Sequence, residues 1–336
     1  MVAVGVIGSG AWGTTLALLL ARKGIATTLW DHQAARAQEM QSQRENKMFL
    51  PGITFPETLR VTAEIGEAVR EKELLILVTP SQRMRENLRL VAPHLSPQTL
   101  LVSASKGVEI ESLKRMSEVI AEELPASAGR IAVLSGPNLS PEVAREKPTA
   151  AVIASQSTEV AIACRDLLTT RHLRIYTSDD VVGVELGGAL KNIIAIGAGM
   201  TEGLGYGDNA KGAFITRGVA EIARLGIAAG ANPMTFAGLA GIGDLIATCA
   251  SPLSRNQRLG RRLAAGEKLD DILASTHSVA EGIYITRAAL KLAERFHVEM
   301  PLTTKLSQIL FQGLDPHKAV LELMMRDPKD EREGIM

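Results

Sequence analysis

Short aliphatic and β-branched runs recur along the first half of the chain: "VAVGVIG" at 2–8, "ATTLWD" at 26–31, "LLILVTP" at 74–80, "TLLVSAS" at 99–105, "RIAVLSG" at 130–136 and "AAVIAS" at 150–155. They are apolar on both faces, as strands of a parallel sheet covered by helices must be. Helical stretches lie between them, so the alternation predicts an α/β fold, a Rossmann-like doubly wound and mostly parallel sheet domain over 1–180. After "LRIYTS" at 173–178 the strand signal stops. From about Asp180 the pattern is that of helices joined by glycine-rich turns, which predicts an all-helical second domain over 181–336. The mixed-charge stretch "RDPKDERE" at 326–333 reads as a solvated tail.

One helical run stands apart. In "ELGGALKNIIAIGAGMTEGLG", 185–205, Lys191 is the sole charge between Glu185 and Glu202. Leu186, Leu190, Ile193, Ile194 and Ile196 give the run a helical apolar face, yet it carries glycines that weaken a helix. Something has to approach that helix closely.

Composition narrows the chemistry. The 336 residues are 46% hydrophobic, enough for two packed domains. Lys+Arg and Asp+Glu are 37 each, so no overall field draws the chain to nucleic acid or anionic lipid, and any anion site is local. The uncharged runs from Met1 to Ala21 and from Leu225 to Gly243 are broken by glycines, the second also by Pro233. They do not read as a signal peptide or as membrane insertion. Cys164 and Cys249 are too few for a disulfide framework, which points to reducing cytoplasm. His32, His94, His172, His277, His297 and His317 lack metal-ligand spacing, so no metal is expected.

"GSGAWG", Gly8 to Gly13, fits the dinucleotide fingerprint directly after the first strand and before an apolar helix. Gly8 permits the tight turn, Gly10 the approach of a pyrophosphate, and Gly13 the packing of helix on strand. Asp31 ends the second strand, where a carboxylate accepts the ribose hydroxyls of NAD. Lys106 follows another strand, at the sheet edge where such folds bind ligands, although a surface lysine there needs no function. "LSGPN" at 134–138 also ends a strand, as a site loop or as a plain turn. Lys191 is either a cleft lysine whose pKa falls until it can donate a proton near neutrality or one that snorkels to the surface. Asp244, in "GLAGIGDLIATC", is its partner, a helix cap, or both. Arg255, Arg258, Arg261 and Arg262 lack the interleaved aromatics of a nucleic-acid patch. "SRN" at 254–256 suits a single phosphate.

In this order "GSGAWGTTLA", "NKMFLPGI", "VTPSQ", "SASKGVE", "LSGPN", the 185–218 block, "GLAGIGDLIATC", "SRNQRLGRRLAAG" and "VAEGIYI" resemble the NAD(P)-dependent glycerol-3-phosphate dehydrogenases, the bacterial branch especially. The resemblance covers about residues 4–325. It implies hydride transfer between NADH or NADPH and dihydroxyacetone phosphate, giving sn-glycerol 3-phosphate for phospholipid synthesis, in a cytoplasmic homodimer. Lys191 then matches the proton donor, with Lys106, Asp244 and Thr248 around it. Gly136, Asn138, Ser254, Arg255 and Asn256 match further substrate contacts, Arg255 and Asn256 the phosphate holders. The cofactor positions are Ala11, Trp12, Phe49, Lys106, Ser140, Arg255, Val279 and Glu281. Ala11 stands where the family has serine, Asn138 where it has serine or threonine, Ser140 where it has alanine, and Phe49 where it has tyrosine. His32 stands where an arginine often meets the 2′-phosphate of NADP, and Asp31 beside it should repel that phosphate. A ketopantoate-type or hydroxyacid-type reductase, or a regulator that senses nicotinamide without turnover, are the competing readings.

Overall fold

The computed structural model describes residues 2–275, 281–328, 330 and 331. Ten strands form in its first half: β1 (Ala3–Ile7), β2 (Ala26–Trp30), β3 (Glu45–Asn46), β4 (Leu50–Thr54), β5 (Leu59–Thr62), β6 (Leu74–Leu77), β7 (Leu100–Ser103), β8 (Ile131–Ser135), β9 (Thr149–Ala154) and β10 (Leu173–Ser178). Eight of them make one sheet in the order β10-β9-β8-β7-β6-β1-β2-β5. All neighbours are parallel except β8 and β9. The six aliphatic and β-branched runs and "LRIYTS" all lie in this sheet. The sequence reading missed β5, whose "LRVT" is a four-residue edge strand carrying Arg60. It also missed the small antiparallel β3–β4 hairpin.

The covering helices are α1 (Ala11–Arg22), α2 (Ala34–Gln43), α3 (Ile65–Val69), α4 (Met84–Val91), α5 (Met116–Glu123), α6 (Ser140–Ala144) and α7 (Thr158–Leu168). From β1 the chain steps to β2 and β5 on one side, then returns to β6 and continues through β7 and β8 on the other. The winding therefore reverses between β1 and β6, and in open α/β sheets ligands bind in the crevice outside the strand carboxyl ends at that point. The glycine loop, the Thr79–Ser81 turn, Lys106 and Gly136 all leave strands at this same edge.

Beyond β10 only helices follow among the described residues: α8 (Val181–Gly203), α9 (Gly207–Ala228), α10 (Asp244–Ala250), α11 (Arg255–Ala264), α12 (Leu269–Ala274), α13 (Glu281–Phe296), α14 (Pro301–Gln312) and α15 (Pro316–Met324). The run that carries Lys191 is α8, the axis on which α9, α10, α11, α13 and α14 pack. It is long and apolar enough to cross a membrane, but 89% of its apolar window is buried inside the protein.

The glycines of α8 now have a reason. A β-carbon on Gly199 would overlap the carbonyl oxygen of Gln257, and one on Gly260 would overlap that of Ile196. Helices α8 and α11 thus cross backbone to backbone, which holds the first turn of α11 against α8. Gly260→Ala should lower stability by about 1–3 kcal/mol, the usual cost of overpacking a tight contact. A thermal or denaturant midpoint equal to wild type would show that the helices separate without penalty.

Candidate active site

At the carboxyl end of β1, Gly8 takes φ +114°, a backbone conformation suited to glycine, and a β-carbon there would strike Val78. Gly13 lies so close to the Gly8 carbonyl that a side chain is excluded, whereas Gly10 faces open space. Gly10 is also the N-cap of α1, whose first turn carries no acidic residue. A bare helix N-terminus with room before it fits the pyrophosphate of a dinucleotide. The indole Nε1 of Trp12 is buried without a hydrogen-bond partner beside this loop.

The loop is braced by a residue that the sequence reading passed over. Asn46, fully buried in β3, donates from Nδ2 to the Ser9 carbonyl (2.8 Å) and to Thr14 Oγ1 (2.8 Å) and accepts from the Phe49 N–H (3.2 Å). Phe49 and the glycine loop are therefore one assembly. Ser140 opens the short helix α6, and its carbonyl accepts from Thr15 Oγ1 of α1 at 3.3 Å. Ala11 begins α1, and His32 lies exposed after β2. Val279 lies outside the described residues.

Lys106, Lys191, Asp244 and Thr248 come together from three separate parts of the chain. The loop bearing Lys106 is tied to the end of β6 by Ser105 Oγ, which donates to the Thr79 carbonyl at 2.6 Å. Lys106 Nζ then donates to Asp244 Oδ2 (2.6 Å) and to the Gly136 carbonyl (3.0 Å). Lys191 Nζ donates to Asp244 Oδ1 and, at 2.6 Å, to Thr248 Oγ1. Thr248 Oγ1 donates its own hydrogen bond to the Asp244 carbonyl at 2.6 Å. Asp244 sits in the first turn of α10 after a π turn over Leu239–Gly243. Among the described residues its carboxylate caps no backbone N–H, and both oxygens accept from lysines.

The electrostatics follow. Asp244 is 1% exposed and Lys191 is 7% exposed, so the ammonium has lost most of its water. Burial pulls the Lys191 pKa down to about 8, with the charge of Lys106 pushing the same way and Asp244 opposing. An ammonium has three N–H donors. Lys191 and Lys106 each spend two on the protein and keep one without an acceptor among the described residues. Two lysines sharing one carboxylate leave a net positive pocket with two free donors, which favours an oxygen that gains negative charge.

The polar groups around this pair are unevenly engaged. Asn138 has both amide atoms buried and unpartnered. So is the hydroxyl of Ser135, which lies directly against Gly188 of α8, near the Lys106 stem. Ser254 caps α11, accepting from the Gln257 N–H at 3.2 Å. Asn256 donates to Asn192 Oδ1 of α8 (2.8 Å) and accepts from the Gly282 N–H of α13 (3.3 Å), so it joins three helices. Arg255, in the first turn of α11, has no hydrogen bond or ion pair among the described residues, although the Glu281 carboxylate attracts it.

Two further links join the sheet to the helices, and neither was read from the sequence. Glu281 accepts from Ser81 N–H (3.2 Å) and Ser81 Oγ (2.8 Å), and burial raises its pKa against these bonds. Glu185 of α8 is gripped by Arg115 (2.7 Å) and by both Ser117 N–H (2.8 Å) and Ser117 Oγ (2.6 Å). With Lys106–Asp244, they fix α8 and Lys191 over the strand ends. Among the described residues no group of His, Cys, Asp and Glu could hold a metal.

Comparison with known proteins bears on this site. The family models of the NAD-dependent glycerol-3-phosphate dehydrogenase N-terminus and C-terminus match residues 3–161 and 180–321. The chain is 51% identical, over 98% of both sequences, to the glycerol-3-phosphate dehydrogenase (NAD(P)+) of Geobacter sulfurreducens. It superposes on the crystal structure of glycerol-3-phosphate dehydrogenase from Coxiella burnetii with a TM-score of 0.92 at 37% identity, covering 96% of this chain and 99% of that one. A ketopantoate reductase from Ralstonia eutropha aligns over 95% of this chain and 99% of its own with a TM-score of 0.59 at 15% identity, a likeness of fold alone.

Proposed function

The chain belongs to the NAD-dependent glycerol-3-phosphate dehydrogenase family, and on that premise we propose that it reduces dihydroxyacetone phosphate to sn-glycerol 3-phosphate with NADH or NADPH, supplying glycerophospholipid synthesis in the cytoplasm as a homodimer. The observation that carries this reading is Asp244 shared between Lys106 and Lys191, with one N–H left on each lysine.

The cofactor, bound on the glycine loop at the β1/β6 switch point, supplies the hydride. Lys191 directs its free N–H at the ketone oxygen and gives up that proton as the alkoxide forms, helped by a pKa drawn toward neutrality. Lys106 steadies the same developing charge through its own free N–H. Asp244 and Thr248 keep the Lys191 ammonium in one orientation. Arg255, with the first turn of α11 and Ser254, holds the phosphate, while Asn256 secures that turn to α8. Asn138 and Gly136 complete the substrate wall. Residues 1–180 form the cofactor domain and 181–336 the substrate domain, with no role for nucleic acid, membrane insertion or metal.

NADH and NADPH oxidation with dihydroxyacetone phosphate tests this directly. Turnover of ketopantoate but not of the phosphate substrate would overturn it in favour of a reductase that binds carboxylate. The Lys191 pKa adds a second expectation with a definite sign. Ketone reduction needs the protonated ammonium, so its kcat should be full below about pH 8 and fall above it. Alcohol oxidation needs the neutral amine and should rise over the same range. Parallel pH profiles for the two directions would remove Lys191 from proton transfer.

A further inference from the structure

Asp31 occupies the position where a carboxylate ordinarily accepts the two ribose hydroxyls of NAD. Here it is 1% exposed, and neither oxygen is free. Oδ1 accepts from the Gln33 N–H (2.7 Å) and Arg36 Nη2 (2.8 Å); Oδ2 accepts from Ser9 Oγ and Arg36 Nε. A carboxylate has about four lone-pair sites, so four donors fill it. The guanidinium fork covers the carboxylate edge-on, as Arg–carboxylate pairs do. A ribose diol would have to displace Arg36 to reach Asp31.

Arg36 is held on two further sides. Its guanidinium lies over the Phe49 ring, 5.6 Å from the centroid, and Nη1 donates to the exposed Gln33 Oε1 at 3.2 Å. Of its five N–H groups, two bind Asp31 and one binds Gln33, so two remain, one on each terminal nitrogen. The side chain is 16% exposed, and beside it the His32 ring, 65% exposed, stands 3.8 Å from Asp31 Oδ1. The negative charge expected at Asp31 is thus neutralised, and the group that remains to face a ligand is a donor cation. Ser9 and Asn46 fasten this cluster to the glycine loop itself.

We propose that Arg36, supported by Asp31 and Phe49, is the residue that selects NADP(H) by gripping its 2′-phosphate. The expectation that Asp31 repels this phosphate is thereby reversed: the aspartate orients the arginine that attracts it. The inference rests on the glycine loop being a nicotinamide dinucleotide site, and its test does not depend on the substrate of the reaction. Binding of 2′,5′-ADP and 5′-AMP, measured by calorimetry, isolates the adenosine end of the cofactor. A charge-assisted hydrogen bond is worth roughly 1.5–3 kcal/mol, so the chain should bind 2′,5′-ADP about tenfold to 150-fold more tightly. Arg36→Ala should abolish that preference while leaving 5′-AMP affinity the same or better. Arg36→Lys, which keeps the charge and loses the fork, should retain only part of it. Because Arg36→Ala leaves a buried carboxylate unpaired, the Asp31→Ser/Arg36→Ala double variant provides a control without that liability, and it too should show no preference. Equal affinities in the wild-type chain, or a preference that survives in the double variant, would overturn the proposal and assign selection to His32 or the backbone. If the fragments behave as expected while dihydroxyacetone phosphate is not turned over, the substrate reading fails and the role of Arg36 stands.

Discussion

Replacing Lys191 with methionine is expected to lower kcat by about 10² to 10⁴ while cofactor still binds. Methionine keeps the length and apolar stem of the lysine, so α8 loses no packing. Asp244 keeps Lys106 as partner at 2.6 Å, so no buried carboxylate is left without a counter-ion. What disappears is the free N–H aimed at the ketone, together with the bonds to Asp244 Oδ1 and Thr248 Oγ1 that orient it. Single-turnover reduction at saturating NADH and NADPH measures the chemical step, and cofactor fluorescence reports binding. A variant within threefold of wild type would sink the assignment of Lys191 as general acid. Asp244→Asn is expected to act differently. It weakens the hold on both lysines at once, and its pH profile should shift, since the group that raises the Lys191 pKa against burial has been removed.

Arg255→Ala should reduce kcat/KM for dihydroxyacetone phosphate by at least about tenfold to 150-fold, the expected loss of charge-assisted bonds to a phosphate of roughly 1.5–3 kcal/mol. Arg255 makes no hydrogen bond among the described residues, and its internal partner is the charge of Glu281, which Ser81 goes on binding through its N–H and Oγ when Arg255 is removed. Lysine should substitute poorly, because it lacks the planar fork. Dihydroxyacetone, which has no phosphate, is the control: its already low kcat/KM should change far less. Equal fractional losses for both substrates would show that Arg255 serves cofactor or fold.

The sheet was legible because six of its eight strands are short aliphatic and β-branched runs buried on both faces, a pattern that covered strands require. β5 escaped for the opposite reason, being four residues long with an arginine on an edge. Lys191 was legible as an isolated charge on an apolar helix, and the glycine loop as a spacing with a strand before it. The supporting contacts were not. Ser81 and Glu281 are separated by 200 positions, Lys106 and Asp244 by 138, and no local pattern reports such pairs. Arg36 was hidden differently. It lies only five residues from Asp31, but periodicity shows a polar helix face and cannot say that one side chain on it turns back to close the carboxylate.

The crossing of α8 and α11 has a consequence for genetics. In a saturation scan scored by growth, positions 199 and 260 should penalise alanine and reject larger side chains, and so rank near Lys191 although what each added β-carbon meets is backbone of the facing helix. Scoring the same library for soluble protein separates the two kinds of intolerance: variants at 199 and 260 should fall in both readouts, larger side chains most, whereas Lys191→Met should fall in growth alone. A functional map of this chain drawn from fitness without abundance would therefore place a false hot spot where two backbones touch.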